Sequence, residues 1–170
     1  DPALFTGVFE RKEVAPNIEW LLRMDKDAND LVFIGDGSNT YQAIESELRS
    51  ELISYRQRVT FVAEKRLDRV LARLNDLPGK YIFLTTLGGM TDENDQVLHL
   101  RDIMKSLALT GRIVISMEDV YIIEGVLGGY VTSSQKQGMN AARLFLAYQR
   151  GKPIVDLPPM LKSPNALIFD

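Results

Sequence analysis

Leu31-Val32-Phe33-Ile34-Gly35-Asp36-Gly37-Ser38-Asn39-Thr40 is the stretch from which the fold is read. It opens with apolar residues that do not alternate with polar ones, the pattern of a strand covered on both faces. Gly35 and Gly37 break the run. Ser38 or Asn39 can then cap a helix, because their side-chain oxygens accept from the free N–H groups of a first turn. That helix reads over residues 38–55, with Ile44, Leu48, Leu52 and Tyr55 on one stripe. A strand that turns directly into a helix is the first half of a crossover unit.

The pattern recurs on either side. Residues 58–63 read as a strand, and residues 64–77 as a helix with Leu67, Val70, Leu71 and Leu74 inward, stopped by Pro78-Gly79. Residues 81–86 form a β-branched and aromatic strand, followed after Gly88-Gly89 by a helix over 94–107 with Val97, Leu100, Ile103, Met104 and Leu107 inward. Residues 112–117 read as a strand, 118–124 as a single helical turn and 126–132 as an extended, Gly-rich segment. Residues 134–149 read as an amphipathic helix carrying Met139, Ala142 and Leu146, ended by Gly151 and Pro153. Two short extended pieces surround Pro158-Pro159 and Pro164. Ahead of the first strand, residues 18–24 read as a helix with Ile18, Leu21 and Leu22 inward and Trp20 in a packing role. Strands separated by helices pair in parallel through right-handed crossovers. The expectation is an α/β fold, a doubly wound open parallel sheet, with strands 31–35, 58–63, 81–86 and 112–117.

Composition sets the outer limits. The chain has 170 residues, 45% hydrophobic and 25% charged, which excludes intrinsic disorder and fits one domain. Net charge is -3 with no basic stripe, so no nucleic-acid partner is expected. No cysteine is present, which removes disulfides, zinc ribbons and thiol nucleophiles. The apolar runs fall far short of the roughly 20 residues of a membrane span. The chain opens on Asp1 without a signal peptide, and an excised piece of a longer protein is expected.

In a doubly wound sheet, ligands sit beyond the carboxyl ends of the strands. Four loops occupy that edge: 35–40, 63–65, 86–95 and 117–121. In the first, Asp36, Gly37, Ser38 and Thr40 permit two readings, a turn with a helix cap or a ligand loop. As a ligand loop, Ser38 and Thr40 donate to a carboxylate at the helix N-terminus and Asp36 takes an ammonium or hydroxyl group. Asn39 and Thr40 stand where a dinucleotide fingerprint needs its third glycine, and no lysine follows in P-loop register. Asp36-x-Ser38-x-Thr40 also resembles the metal-ion adhesion site of von Willebrand A-type domains, with Thr91-Asp92 as a second loop. Those domains follow their first helix with a hairpin, whereas another crossover is expected here. Thr86 and Leu87 follow the third strand. Glu118, Asp119 and Tyr121 follow the fourth, where the carboxylates suit a cationic or polyhydroxy ligand or cap the next turn. Glu64 and Lys65 read as surface charges. His99 is the chain's one histidine and reads as a solvated mid-helix position, so with no cysteine there is no catalytic triad.

From Val126 onward an ordered series appears: Gly128-Gly129-Tyr130-Val131-Thr132-Ser133, then Gln137-Gly138-x-x-Ala141-Ala142-Arg143-Leu144, Gly151-Lys152-Pro153 and Leu157-Pro158. It resembles the carboxyl-terminal part of the ABC-transporter substrate-binding-protein-like family, which has a type I periplasmic-binding fold. The ending Ser163-Pro164-Asn165-x-x-x-Phe169-Asp170 is similar to one branch, the extracytoplasmic sensor domains of histidine kinases and diguanylate cyclases. Thr6-Gly7-Val8-x-Glu10 resembles the crossing into the second lobe. The resemblance implies a non-enzymatic domain without a cofactor, located outside the cytoplasm as part of a membrane-anchored protein. It would bind a small polar, amino-acid-like ligand between two lobes. The chain would be the second lobe and closing segments. The first lobe would precede Asp1, and the apolar surface left uncovered would favour self-association. A transport receptor is the alternative within the same fold.

Overall fold

The structure is a computed structural model that describes residues 5–170. Among the described residues the helices are α1 (Ala15–Met24), α2 (Asn39–Leu52), α3 (Leu67–Asp76), α4 (Leu100–Ala108) and α5 (Ser134–Gln149). The strands are β1 (Asp30–Gly35), β2 (Arg58–Ala63), β3 (Tyr81–Leu84), β4 (Ile113–Ser116), β5 (Gly128–Val131) and β6 (Ala166–Phe169). They form one sheet in the order β2-β1-β3-β4-β5-β6, with β1 to β5 parallel and β6 antiparallel at the edge. The four expected strands are present, and no two of them form a hairpin.

Alternate residues of each central strand face opposite ways, so both faces must be covered. Val32, Ile34, Ile82, Leu84 and Val114 pack against Val70 and Leu74 of α3 and Ile103, Met104 and Leu107 of α4. Leu31, Phe33, Tyr81, Phe83 and Ile115 pack against Ile18 and Leu21 of α1 and Leu48 and Leu52 of α2. The register sets Phe33 between Phe61 and Phe83, and the rings stack at 5.2 and 4.7 Å. Gly35 is the last residue of β1, and nothing larger fits there, because a Cβ would collide with the Tyr41 ring.

One buried amide joins α1 to the far side of the sheet. Asn17 is fully buried; its Nδ2 donates to the Tyr130 carbonyl at 2.8 Å and its Oδ1 accepts from the Tyr130 N–H at 2.7 Å. The side chain thus completes the ladder of β5 as a neighbouring strand would. Its Oδ1 also accepts from Trp20 Nε1 at 3.2 Å, and the Trp20 ring meets Phe169 of β6 edge-on at 5.3 Å.

Three expectations need correction. The helix expected over 94–107 begins only at Leu100, with His99 at its N-cap and not mid-helix. Asp92 causes this: its Oδ1 accepts from the Asn94 and Gln96 N–H groups and holds a turn, while Leu98 N–H donates to the Met90 carbonyl. Val97, expected inward, is consequently 69% exposed. The tail adds a strand, β6, which had read only as a short extended piece. Finally, α5 is amphipathic, but none of its residues is buried, and Met139 and Leu146 are exposed.

Asn17→Ala is expected to lower stability by about 3 kcal/mol, since it strands a buried backbone N–H and a buried carbonyl. Chemical denaturation checks this, and a loss below about 0.5 kcal/mol would show that the amide is not a ladder partner.

Candidate functional site

The chain order turns round between β1 and β3. β1 feeds α2 on one face of the sheet, and β3 feeds α4 on the other. Loops leaving in opposite directions open a crevice between them at the carboxyl edge, where doubly wound folds bind ligands. The structure brings Asp36, Thr86, Leu87 and Tyr121 together there.

Asp36 spans the crevice. It is buried; its N–H donates to the Thr86 carbonyl at 2.9 Å, its Oδ1 accepts from Ser38 N–H at 3.1 Å and its Oδ2 from Gly89 N–H at 2.9 Å. The carboxylate therefore clamps the β1 loop to the β3 loop. Gly37 serves the same turn with a φ of 70°, a conformation that glycine adopts without a side-chain clash. Ser38 caps α2, its Oγ accepting from Tyr41 N–H at 3.2 Å. Thr40 is exposed on the first turn of α2. Tyr121 sits under the β3 loop, where its hydroxyl accepts from Leu87 N–H at 3.0 Å; burial first, and the Glu118 charge second, push its phenol above the usual range.

The other two carboxylates part company. Asp119 belongs to the N-terminus of α5: its Oδ2 accepts from Ser134 N–H at 2.6 Å and its Oδ1 from the Ser134 hydroxyl at 2.7 Å. Glu118 pairs with the N-terminal segment through one oxygen, its Oε1 lying 2.7 Å from the Lys12 ammonium. Burial pushes the Glu118 carboxyl above the ordinary range, and Lys12 opposes that shift. Lys12 is itself buried and also donates to Glu10 at 3.0 Å. Nothing in the run Glu10-Arg11-Lys12-Glu13 distinguishes this lysine from a solvated one, so sequence reasoning missed it. The second loop of the adhesion-site reading is not drawn to Asp36. Thr91 pairs through its backbone with Lys65 and Leu67, and Asp92 is spent on its own turn. Among the described residues, no group of His, Cys, Asp or Glu is arranged to hold a metal ion.

Two solved structures share this fold across nearly the whole chain. One is a conserved domain protein from Vibrio cholerae, with a TM-score of 0.67 and 12% identity, covering 96% of this chain and 54% of that one. The other is the ligand-free, open structure of CD0873 from Clostridium difficile, described as a substrate-binding protein with adhesive properties. It gives a TM-score of 0.69 and 15% identity, covering 97% of this chain and 55% of that one. No family model and no curated protein matches the sequence. The fold is that of a substrate-binding-protein lobe, and the chain spans about half the length of either solved chain.

Among the cavities that lie away from the crevice, two flank helices of the sheet's outer layers. One of about 640 Å³ is lined by Arg101, Lys105, Leu109, Ile123 and Glu124 beside α4. Another of about 370 Å³ lies between the N-terminal segment and α5, lined by Phe5, Ala141, Leu144, Phe145 and Tyr148. No described helix is long and apolar enough to cross a membrane.

Asp36→Ala is expected to cost about 2–4 kcal/mol, by stranding two backbone donors, and to speed amide exchange at Ser38 and Gly89. Hydrogen-exchange NMR checks it, and unchanged protection at Gly89 would show that the clamp is not made in solution.

Proposed function

We propose that this chain is one lobe of a two-lobed receptor that binds a small polar, amino-acid-like ligand at the carboxyl edge of its sheet. The observation that carries the reading is the crevice between β1 and β3, lined from three separate strand ends in a fold shared with a substrate-binding protein. The proposed contacts are Asp36, Gly37, Ser38 and Thr40 after β1, Thr86 and Leu87 after β3, and Glu118, Asp119 and Tyr121 after β4. The clamp formed by Asp36 and the cap formed by Asp119 direct the ligand towards Ser38, Thr40, Thr86 and Glu118.

The companion lobe would pack on α5. This helix joins the rest of the chain through polar bonds at its first turn, from Ser134 to Asp119, Lys136 to the Asn165 carbonyl and Gln137 to the Phe9 carbonyl. Beyond that turn, Met139, Phe145, Leu146 and Tyr148 lie exposed, and Phe145 and Tyr148 line a cavity with the exposed Phe5. A patch of that kind normally marks an interface. Without the companion lobe, a second copy of the chain would cover it.

The receptor is read as the extracytoplasmic sensor domain of a membrane signal-transduction protein, of histidine-kinase or diguanylate-cyclase type. Support comes from the Ser163-Pro164-Asn165 ending, in which Asn165 Nδ2 donates to the Arg11 carbonyl and to Glu13, tying the closing segment to the entering one. The solved substrate-binding protein favours a transport receptor as the second reading. The complete gene separates them: a membrane helix and output domain after residue 170 mean a sensor, and a stop near it means transport.

Thermal denaturation of the two-lobed protein against amino acids, polyamines, dicarboxylates and sugars tests the binding reading. A saturable rise in Tm with one class is expected, and no rise with any class would overturn it. For the isolated chain, sedimentation should show concentration-dependent association that Phe145→Lys with Leu146→Lys abolishes, with stability changed by less than about 0.5 kcal/mol. A chain that stays monomeric at high concentration would remove the self-association proposal.

A further inference from the structure

We propose that Lys12 is a positioning residue that holds one oxygen of Glu118, so that Glu118, and not Asp36 or Asp119, offers the crevice its free anionic contact, one that takes an ammonium, guanidinium or other hydrogen-bond-donor group. This deepens the ligand-binding reading above and rests on it.

The argument compares three carboxylates at one sheet edge. Both oxygens of Asp36 already hold backbone donors, Ser38 N–H at 3.1 Å and Gly89 N–H at 2.9 Å. Both oxygens of Asp119 hold Ser134, at 2.6 and 2.7 Å. Neither can turn to a ligand without giving up a bond that holds a loop or a helix end. Glu118 differs: its Oε1 lies 2.7 Å from Lys12 Nζ, and its Oε2 has no protein partner among the described residues. Its side chain is 20% exposed, enough to be reached from solvent.

Lys12 makes this arrangement stiff. Its side chain is only 4% exposed, and a buried ammonium needs a paired charge. Its other partner, Glu10, is 57% exposed and lies on the same segment, so Glu118 is the partner that meets the ammonium inside the protein. The charged and titratable groups facing Glu118 are Lys12 and Glu10 from the N-terminal segment, Asp119 beside it and Tyr121 from the turn that follows. Lys12 is the one cation among them. Without it, the burial that already raises the Glu118 carboxyl would act unopposed, and the contact would lose its charge nearer neutral pH.

The test uses this chain with 13C-labelled glutamate side chains, followed by NMR. Ethylamine and agmatine are the donor probes, and acetate is the control. In the wild type, the Glu118 carboxyl resonance should shift saturably with one amine and not with acetate. Glu118→Gln should weaken that amine by roughly ten- to a hundredfold, the range of a lost charge-assisted hydrogen bond. Lys12→Gln should weaken it by at least about tenfold and raise the Glu118 titration midpoint, and Lys12→Arg should restore both. If Lys12→Gln fails to fold, the Lys12→Arg and Glu118→Asp variants decide: the first should keep amine binding and the second, with a shorter arm, should lose it. Amine binding that survives Glu118→Gln but not Asp36→Asn overturns the assignment, as does a Glu118 midpoint unmoved by Lys12→Gln. A neutral or anionic compound that stabilises the two-lobed protein without moving the Glu118 resonance overturns this inference and leaves the receptor reading standing. If no compound binds at all, both fall.

Discussion

Three strands that must be covered on both faces set the rest of this structure. β1, β3 and β4 carry apolar residues at successive positions, so neither face of the sheet centre can meet water. Helices have to lie on each side, and each can be reached only by a crossover that returns the chain to the same end of the sheet. Parallel pairing follows, and with it a shared exit edge for every loop that leaves a strand. The crevice is a by-product of that burial, because it opens where the crossovers change sides.

At this sheet edge, the fold itself claims the carboxylates that the proposed ligand would use. Asp36 and Asp119 are placed where a ligand would want them, yet each spends both oxygens on the protein's own donors. Asp36 is buried, and a buried carboxylate is tolerated only when its lone pairs are filled. An acidic residue at a strand end is therefore by default a fastener of loops. Availability to a ligand needs a separate cause, such as a buried cation that takes one oxygen and leaves the other.

The sheet was legible because its signals are local. Apolar runs, Gly-Pro stops and the Ser38 cap all lie within a few residues of the feature they determine. The shared position of the candidate loops was legible for a similar reason, since parallel pairing brings the carboxyl end of each strand to one edge. The late start of α4 was hidden because the apolar period runs on through Val97, while the Asp92 side chain captures the backbone instead. The Asn17 ladder and the Lys12 pair were hidden for a different reason. Each joins residues about a hundred positions apart, and an isolated Asn or Lys in a polar run carries no mark of its partner.

The seam between α1 and the closing strands also holds the chain's one tryptophan. Trp20 touches Phe169 with its ring and Asn17 with its N–H, so a single indole spans the junction of α1, β5 and β6. Its emission should therefore follow the undocking of the antiparallel edge strand and be nearly blind to events at β2. The protein thus carries an intrinsic optical reporter on the part of the sheet that closes last in chain order. Fluorescence and far-ultraviolet circular dichroism would then separate if that edge opens before the parallel centre melts.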